Sequence, residues 1–424
     1  MLLQFSVDNY RSIKDKMYLS LDIDNDSEHP ENIATQGNFK TINTIIIYGA
    51  NASGKSNLFK AMAVAVNMIR NSNTLQITSR LPVVPFKFDS DSIKKPTSFE
   101  FIFIASNGLK YIYGFSATKE AITEEYLYCY KSSRGSLIFE RHAGKDPEYK
   151  FSRTSVAKMT AAAQMNTANK LFLPTATSWN VQETKPALEW LNSFINTYYG
   201  QSRFISESLN QYRLDSDDSI KSFTQKLLKE TDINISKVSV NTRTYNDISQ
   251  VIDNDLPSFN DLIFSNSDEI HEVQINTEYS IKTEDGKMNL YSLPLKEESQ
   301  GTQQIVYFGP LLKDTFDQGK VLVIDEIDNS LHPFIVRYII NLFRNPIINR
   351  NGAQLIVTTH ETTLLSLDVF RRDQIYFTEK DGNTGITDLY SLNDFSVRKD
   401  ENIQKGYLLG RYGAIPYLFA EKVF

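Results

Sequence analysis

The chain has 424 residues, of which 41% are hydrophobic and 23% are charged, and it carries a formal net charge of −6 at pH 7. This composition excludes a disordered or fibrous chain and predicts a globular protein of two or three structural units. The single cysteine, Cys129, excludes an internal disulfide framework and a multi-cysteine metal site, which favours a reducing compartment. The acidic net charge provides no overall basic surface for nucleic acid but is compatible with a local basic patch, so nucleic-acid binding stays open.

The N-terminal residues 1–23 alternate between apolar and polar types, which predicts a pair of β-strands. They lack the basic start and the long apolar core of a signal peptide, and no apolar run of 18 residues occurs elsewhere in the sequence. The sequence therefore predicts a cytoplasmic protein without a membrane span.

A phosphate-binding loop is predicted between residues 49 and 56. The run Ile45–Ile47 is typical of a strand buried in a parallel sheet, and residues 56–68 have the pattern of a helix that begins at the loop. Between them, GANASGKS matches G-x-x-x-x-G-K-[ST], in which Lys55 reaches the β- and γ-phosphates and Ser56 places its hydroxyl on Mg²⁺. The alternative is a Gly/Ser-rich turn before a helix. We expect nucleotide contacts from Gly49, Ala50, Asn51, Ala52, Ser53, Gly54, Lys55, Ser56 and Asn57.

The middle of the chain predicts an antiparallel sheet followed by helices. Residues 97–141 read as short strands separated by turns at SNG and SRG. From about Ser155 to Asp268, apolar residues recur at three- and four-residue spacing, which is typical of helices, and residues 272–295 return to strands through a turn at EDG. We predict three segments: 1–150 with the phosphate loop and a β-subdomain, 151–275 as a mainly helical insertion, and 276–424 as a second lobe.

The segment KVLVIDEIDNSLHP predicts the acidic part of a nucleotide site. Val321 to Ile324 form an apolar run, and Asp325 and Glu326 follow at its carboxyl end. A phosphate loop needs a carboxylate that holds Mg²⁺ and a base that orients water, both at the end of a neighbouring strand. We interpret Asp325 as the Mg²⁺ carboxylate and Glu326 as the general base. Two adjacent carboxylates in a solvated turn are the alternative.

Two further segments resemble motifs of ATP-binding-cassette (ABC) ATPases. ESQGTQQIVYF resembles their signature motif, and a serine hydroxyl and glycine N–H at a helix start would form a second anion site. An ordinary helix cap is the alternative. His360, which follows the apolar strand in QLIVTTHETTLL, resembles the switch histidine that contacts the γ-phosphate, against the alternative of a structural histidine. The core of the signature consists of Ser299, Gln300, Gly301, Thr302 and Gln303.

The order of phosphate loop, signature, acidic strand, Asp328 loop and His360 resembles that of soluble ABC-class ATPases of the Rad50, SMC and RecF kind. In FSVDNYRSIKD, Arg11 matches an arginine that lies near the nucleotide in several members. The C-terminal DLYSLNDFSVRKDENIQKGYLLGRYGAIP resembles AAA15-type ATPases of the RloA, AbiL-ATPase and PARIS-ATPase kind, which include ATPase components of phage-defence pairs. A glutamine that such ATPases carry after the first helix is not assigned, because neither Gln76 nor the PVVPFKF segment fits clearly.

The resemblance implies an α/β fold: an ABC-type P-loop ATPase core with an antiparallel β-subdomain and a mainly helical insertion. It also implies ATP and Mg²⁺ as cofactors and a homodimer or higher homo-oligomer with ATP at the interface, where the signature acts in trans and Asp328 lies in the D-loop. Sustained heptads are absent between the loop and the signature, which excludes a long coiled coil. Only 64 residues follow His360, so a nuclease domain within this chain is not expected.

Three functions follow from these observations. The first is an ATPase that serves as sensor and scaffold in phage defence and controls a separately encoded effector, a toxin or nuclease, through its insertion or through Arg411 and Tyr412. The alternatives are an insertion that only completes the core of its lobe and a packed helix end at Arg411 and Tyr412. The second is a RecF-like DNA-repair clamp. The third is a nucleotide-gated assembly module with negligible turnover, which the presence of Glu326 disfavours because such a module needs no general base.

Overall fold

The computed structural model describes residues 1–24, 28–144, 148–245, 262–264, 270–399 and 401–416. The chain divides into two compact units. Unit 1 comprises Met1–Thr197, Gly319–Ile327 and Ile340–Phe424, and unit 2 comprises Tyr198–Gln318 and Asp328–Ile339.

Unit 1 holds most of the strands. Its elements are β1 (Leu2–Asp8), β2 (Met17–Ser20), β3 (Ile33–Gln36), β4 (Phe39–Ile42), β5 (Thr44–Gly49), α1 (Lys55–Asn71), β6 (Thr97–Ile104), β7 (Lys110–Ala117), β8 (Ile122–Tyr130), β9 (Ser136–His142), β10 (Glu148–Phe151), α2 (Val156–Met165), α3 (Phe172–Ser178), α4 (Lys185–Ser193) and β11 (Ile195–Tyr198), whose last residue falls in unit 2.

Unit 2 follows with α5 (Gln201–Leu214), α6 (Ser219–Glu230), β12 (Lys237–Tyr245), β13 (Leu262–Phe264), β14 (Ile270–Lys282), β15 (Met288–Pro294) and α7 (Gln300–Gln318). The chain then supplies β16 (Val321–Ile324), α8 (Pro333–Arg344), β17 (Gln354–Thr358), β18 (Ile375–Lys380), β19 (Thr387–Ser391) and α9 (Ile403–Leu408). All of these belong to unit 1 except the first part of α8.

The antiparallel sheet of unit 1 has the order β10-β9-β8-β7-β6-β1-β2. Strand β6 alternates in burial, as a strand with one packed face does: Phe99, Phe101 and Phe103 are buried while the residues between them are only partly buried. Trp190 of α4 stacks on Phe103 with ring centroids 4.2 Å apart. The helices α2–α4 therefore belong to the core of unit 1, whereas the sequence-based boundaries assign residues 151–197 to the insertion.

A buried ion pair lies on the same sheet. Glu125 and Arg141, on adjacent strands β8 and β9, are both buried, with Glu125 Oε2 and Arg141 Nη1 3.7 Å apart. Glu125 also accepts hydrogen bonds from the Tyr113 hydroxyl and from the backbone N–H groups of Phe172 and Leu173. Burial raises the pKa of the Glu125 carboxyl, although Arg141 and these donors act in the opposite direction.

The second sheet of unit 1 has the order β11-β16-β17-β5-β18-β19. The pairs β16–β17, β17–β5 and β5–β18 are parallel, and every residue of β5, β16 and β17 is buried. The apolar runs at residues 45–47, 321–324 and 355–357 explain this position, since strands covered on both faces need no polar side chain. Because parallel strands end at one edge, the loop after β5, Asp325 after β16 and His360 after β17 lie at a common edge.

Unit 2 packs helices and strands together. Tyr212 of α5 donates its hydroxyl to the Val306 carbonyl of α7 (2.8 Å) and lies 2.8 Å from the Thr224 hydroxyl of α6. Strands β12, β13 and β15 all pair antiparallel with β14. The predicted α/β class with an antiparallel β-subdomain is confirmed, and the segment predicted as mainly helical carries α2–α6 together with β11–β13. No helix within the described residues is long and apolar enough to cross a membrane.

Candidate functional site

A buried lysine and a sharp turn mark the loop between β5 and α1. Lys55 is the first residue of α1, is buried, and donates its ammonium to the carbonyls of Gly49 (2.7 Å) and Ala50 (3.2 Å). Ala52 and Gly54 have φ values of +64° and +112°, so the chain turns sharply before the helix. The first four N–H groups of a helix have no partner within it, so the start of α1 offers donors and a positive dipole end to an anion.

Two threonines from distant strands form the wall behind the loop. The Thr378 hydroxyl of β18 is hydrogen-bonded to that of Ser53 (2.7 Å), and Thr387 Oγ1 of β19 lies 3.0 Å from the Ser53 carbonyl oxygen. A Cβ at Gly49 would lie 2.6 Å from Ser53 Oγ, and one at Gly54 would lie 2.5 Å from Thr387 Cγ2. The sequence prediction missed both threonines, because nothing in IYFTEK or ITDLY distinguishes them from other strand residues.

The N-terminal turn approaches the loop through Ser12. Ser12 Oγ accepts a hydrogen bond from the Asn57 side chain of α1 (2.7 Å) and lies 2.8 Å from Thr387 Oγ1. The neighbouring Arg11 is exposed, has a φ of +51°, and directs its guanidinium onto the Tyr10 ring, with Nε 3.2 Å from the Tyr10 hydroxyl. Asn57 is thus joined to the turn that contains Arg11, and Ser12 is the residue that makes the contact.

Asp325 and Glu326 are held by one hydroxyl. Thr358, the last residue of β17, donates its hydroxyl to Asp325 Oδ1 (2.7 Å) and accepts the N–H of Glu326 (2.7 Å). Asp325 is partly buried, whereas the side chain of Glu326 is exposed on a residue with a φ of +56°. Thr358 was not predicted; its position two residues before His360, at the end of an apolar run, was the only available signal.

His360 follows the same strand and is exposed. The strand end is fixed to β5 by the N–H of Thr359, which donates to the Ile47 carbonyl (3.2 Å). Beyond His360, the Glu361 carbonyl accepts the Tyr48 hydroxyl (3.3 Å), and Tyr48 immediately precedes the loop glycine. The edge that carries His360 is therefore tied directly to the strand that carries the loop.

The predicted signature starts a helix in unit 2. Ser299 accepts the N–H of Thr302 (3.2 Å) on its hydroxyl and that of Gln303 (3.0 Å) on its carbonyl, as an N-cap residue does. The Ser330 hydroxyl donates to Gln300 Oε1 (3.2 Å), and a Cβ at Gly301 would lie 3.1 Å from the Ser330 carbonyl oxygen. Asp328 begins this turn, and its backbone carbonyl accepts the Leu331 N–H (3.2 Å). Signature start and Asp328 turn are thus neighbours.

These groups fit Mg²⁺-ATP. The carbonyls that hold the Lys55 ammonium are neutral, so an anionic phosphate would be a stronger partner for it. Asp325 contributes Oδ1 to Thr358, and a carboxylate has a second oxygen that can face a cation. Ser56 lies in the first turn of α1 and is partly accessible. Carboxylate and hydroxyl oxygens are the hard ligands that Mg²⁺ takes together with substrate phosphates.

A cleft of about 1220 Å³ borders the outer side of the loop at Ala50–Ser53. Phe86 and Phe88 line it from the PVVPFKF segment, which therefore reaches the site although it contains no glutamine. Gln76 is exposed, and its carbonyl accepts the Asn169 side chain (2.8 Å). In the cleft wall, hydrogen bonds from the Asp91 N–H and the Ser92 hydroxyl, with Lys14 nearby, lower the pKa of Asp89 to about 2.

Comparisons with known proteins show a family for this chain. A protein family described as "AAA domain, putative AbiEii toxin, Type IV TA system" matches residues 45–154 and 192–366, which together make up more than half of the chain. A search of curated proteins found no match.

Several solved structures are similar to the chain. One is the SMC head domain from Thermotoga maritima, which is 12% identical, with a match that covers 92% of this chain and 98% of that chain at a TM-score of 0.38. Another is the recombination mediator protein RecF with ATP, which is 13% identical, with a match that covers 92% of this chain and 97% of that chain at a TM-score of 0.37. A third is the Smc head domain with a coiled coil and joint from Pyrococcus yayanosii, which is 8% identical, with a match that covers 97% of this chain and 99% of that chain at a TM-score of 0.42. Identities and TM-scores this low transfer no function to the present chain.

Proposed function

The chain belongs to the AAA domain family of putative AbiEii toxins of type IV toxin–antitoxin systems, and from this premise we propose that it binds Mg²⁺-ATP at residues 49–57 and hydrolyses it. By family it is an ATPase of the AAA class. The observation that carries hydrolysis is the pair of carboxylates, Asp325 and Glu326, at the sheet edge that also bears the phosphate loop.

Each residue has a defined task in this proposal. Lys55 neutralises the β- and γ-phosphates, while Ser56 and Asp325 hold Mg²⁺, which supplies charge neutralisation when bound. Glu326, exposed at the strand end, accepts the proton of the attacking water, and His360 hydrogen-bonds the γ-phosphate. Asn57, which is hydrogen-bonded to Ser12, and the exposed Arg11 beside it would contact the nucleotide, as the resemblance to ABC ATPases implies.

We further propose that the site is completed by a second copy of the chain. Ser299 and Gly301 form a helix start of the kind that binds anions, and the resemblance to ABC ATPases assigns this motif to the partner's nucleotide. ATP would then lie between two chains, with Lys55 and Ser56 of one opposite Ser299, Gly301 and Asp328 of the other. ATP binding would close the dimer, and hydrolysis would open it.

Glu326→Gln tests the chemistry. The variant should bind Mg²⁺-ATP as the wild type does and hydrolyse it at least ~10²-fold more slowly, because it lacks the general base. Lys55→Ala should instead lose nucleotide binding. The measurements are steady-state phosphate release and equilibrium binding of a fluorescent ATP analogue. Glu120→Gln, the same change in an exposed turn, is the control, and unchanged turnover in Glu326→Gln would remove that residue from the base role.

We propose that the cellular role is to sense infection and control a separately encoded toxin or nuclease in a prokaryotic defence system. The C-terminal resemblance to ATPases of phage-defence pairs supports this role, and so does a family description that names a toxin–antitoxin system. The alternative is a RecF-like clamp that ATP closes on DNA. In the defence role we expect no nuclease activity from this chain, and its helical insertion or C-terminal segment would contact the effector.

Two measurements separate these roles. The chain is expressed with and without its neighbouring gene while growth, phage resistance and co-purification are followed, and purified protein is titrated with DNA at two salt concentrations. The defence role predicts harmless expression alone, resistance only with the second gene, and recovery of its product. A clamp predicts DNA affinity that falls steeply with salt. Full resistance from this chain alone would contradict a separate effector.

A further inference from the structure

Thr358 lies where three functional strands meet. It is fully buried at the end of β17, and its backbone pairs with Ile47 of β5 on one side, while the preceding residue pairs with Ile324 of β16 on the other. Its carbonyl accepts the Ile327 N–H (3.1 Å). His360 follows two residues later. One residue therefore adjoins the strand of the phosphate loop, the acidic strand and the predicted γ-phosphate ligand.

The hydroxyl of Thr358 joins two groups that are expected to act in different steps. It donates to Asp325 Oδ1 and accepts from the Glu326 N–H, each at 2.7 Å. The bond to Asp325 fixes the rotation of the carboxylate and therefore the direction of its second oxygen. The bond to Glu326 fixes a peptide rather than a side chain, so it acts on the backbone of the proposed base.

Glu326 needs such a constraint. Its φ of +56° lies in the left-handed region, which is unfavourable for a residue with a Cβ and persists only where the surroundings enforce it. Because its side chain is exposed, the direction in which the carboxylate leaves the chain is set by this backbone conformation. The bond between the Thr358 hydroxyl and the Glu326 N–H thus helps to fix the direction of the proposed base.

We propose that Thr358 is a positioning residue that sets the Mg²⁺ carboxylate and the general base at once and couples both to the strand that bears His360. This inference rests on the proposed ATPase function and extends it. A displacement of the β17 end at His360 moves the hydroxyl, and the hydroxyl carries Asp325 and the Glu326 peptide with it. The competing explanation is a buried threonine that satisfies its hydroxyl on the nearest carboxylate without effect on turnover.

The test compares Thr358→Val, which keeps the shape but removes the hydroxyl, with Thr358→Ser, which keeps the hydroxyl. Thr44→Val on β5 is the matched control, because Thr44 is also fully buried in this sheet and its hydroxyl has no hydrogen-bond partner within the described part of the chain. Thermal melting of all variants establishes that each is folded, and binding of a fluorescent ATP analogue without and with increasing Mg²⁺ is measured beside kcat and KM.

Thr358→Val should lower kcat about 10- to 100-fold, and it should raise the Mg²⁺ concentration needed to enhance nucleotide binding by a similar factor. This is the usual scale for loss of a residue that orients a metal ligand. Binding of the analogue without Mg²⁺ should not change, and Thr358→Ser should stay within a few-fold of wild type. Wild-type kcat and Mg²⁺ dependence in Thr358→Val, or an equal defect in Thr358→Ser, would overturn the inference. If the wild-type protein has no ATPase activity, the proposed hydrolysis is refuted instead. The Mg²⁺ titration of nucleotide binding would then still test whether Thr358 positions the Mg²⁺ carboxylate.

Discussion

Gly49 and Gly54 lie at the two ends of the proposed phosphate loop, and each is required by a contact with side chains from another strand. Gly54 combines a φ of +112° with close packing on Thr387, and Gly49 packs on Thr378 and Ser53. In a consensus motif these glycines are usually explained by the approach of a ligand. Here the protein itself occupies the space on the side of β18 and β19, so the loop shape is fixed before any nucleotide binds.

This packing predicts the effect of Gly54→Ala. The new methyl group would overlap Thr387 while an alanine is forced into the left-handed region, so the loop should lose its shape and nucleotide binding should fall below detection. Gly108→Ala is the control: its φ is +75°, yet a Cβ there meets nothing within 4 Å. It should cost only about 1–2 kcal/mol of stability for the backbone strain and leave binding intact. Calorimetric titration with ATP and thermal melting measure both, and near-normal binding by Gly54→Ala would contradict this account.

At the scale of elements, the apolar runs predict the strands but not their neighbours. The sequence predicts buried strands at residues 45–47 and 321–324 because each is a short run of branched apolar side chains. The insertion of β17 between β5 and β16 depends on tertiary packing and leaves no local mark. The roles of Asp325 and Glu326 could therefore be proposed from their position after a strand. The contacts of the Thr358, Thr378 and Thr387 hydroxyls could not be predicted, because each hydroxyl bonds a residue outside its own strand.

The C-terminal segment illustrates the same limit. Arg411 and Tyr412 are predicted together as a surface for an effector. In the structure, Tyr412 is buried and stacks on Phe377 with ring centroids 5.8 Å apart, while Arg411 is exposed and paired with Glu401. Both side chains donate to the same Glu401 carboxylate oxygen, yet only Arg411 is exposed. The sequence alone does not distinguish the packed ring from the exposed cation. Arg411 is the member of the pair that an effector could reach.

At the scale of the whole molecule, the proposed shared site predicts that ATP controls self-association. Ser299→Arg would place a cation and a long side chain at the proposed interface, so the variant should bind ATP normally and remain monomeric, whereas the Glu326→Gln protein should dimerise with Mg²⁺-ATP. Ser132→Arg, in an exposed turn, is the matched control. Sedimentation velocity with and without ATP in the Glu326→Gln background provides the measurement. The shared site would be disproved if the Ser299→Arg variant dimerised at the same ATP concentrations as the protein that keeps Ser299.

The two sheets of unit 1 also differ in when they can form during synthesis. The antiparallel sheet uses only strands within the first 151 residues, so it can assemble while most of the chain is still untranslated. The parallel sheet cannot, because Ser53 meets Thr378 across 325 positions of sequence. At about 5–20 residues per second, the ribosome needs roughly 16–65 seconds after it has made Ser53 to reach Thr378, which packs against the loop. For most of that interval, until β17 is made, β5 is an apolar strand without its neighbours in the sheet. The nascent chain then depends on the early sheet, or on chaperones, to keep β5 from pairing with another chain.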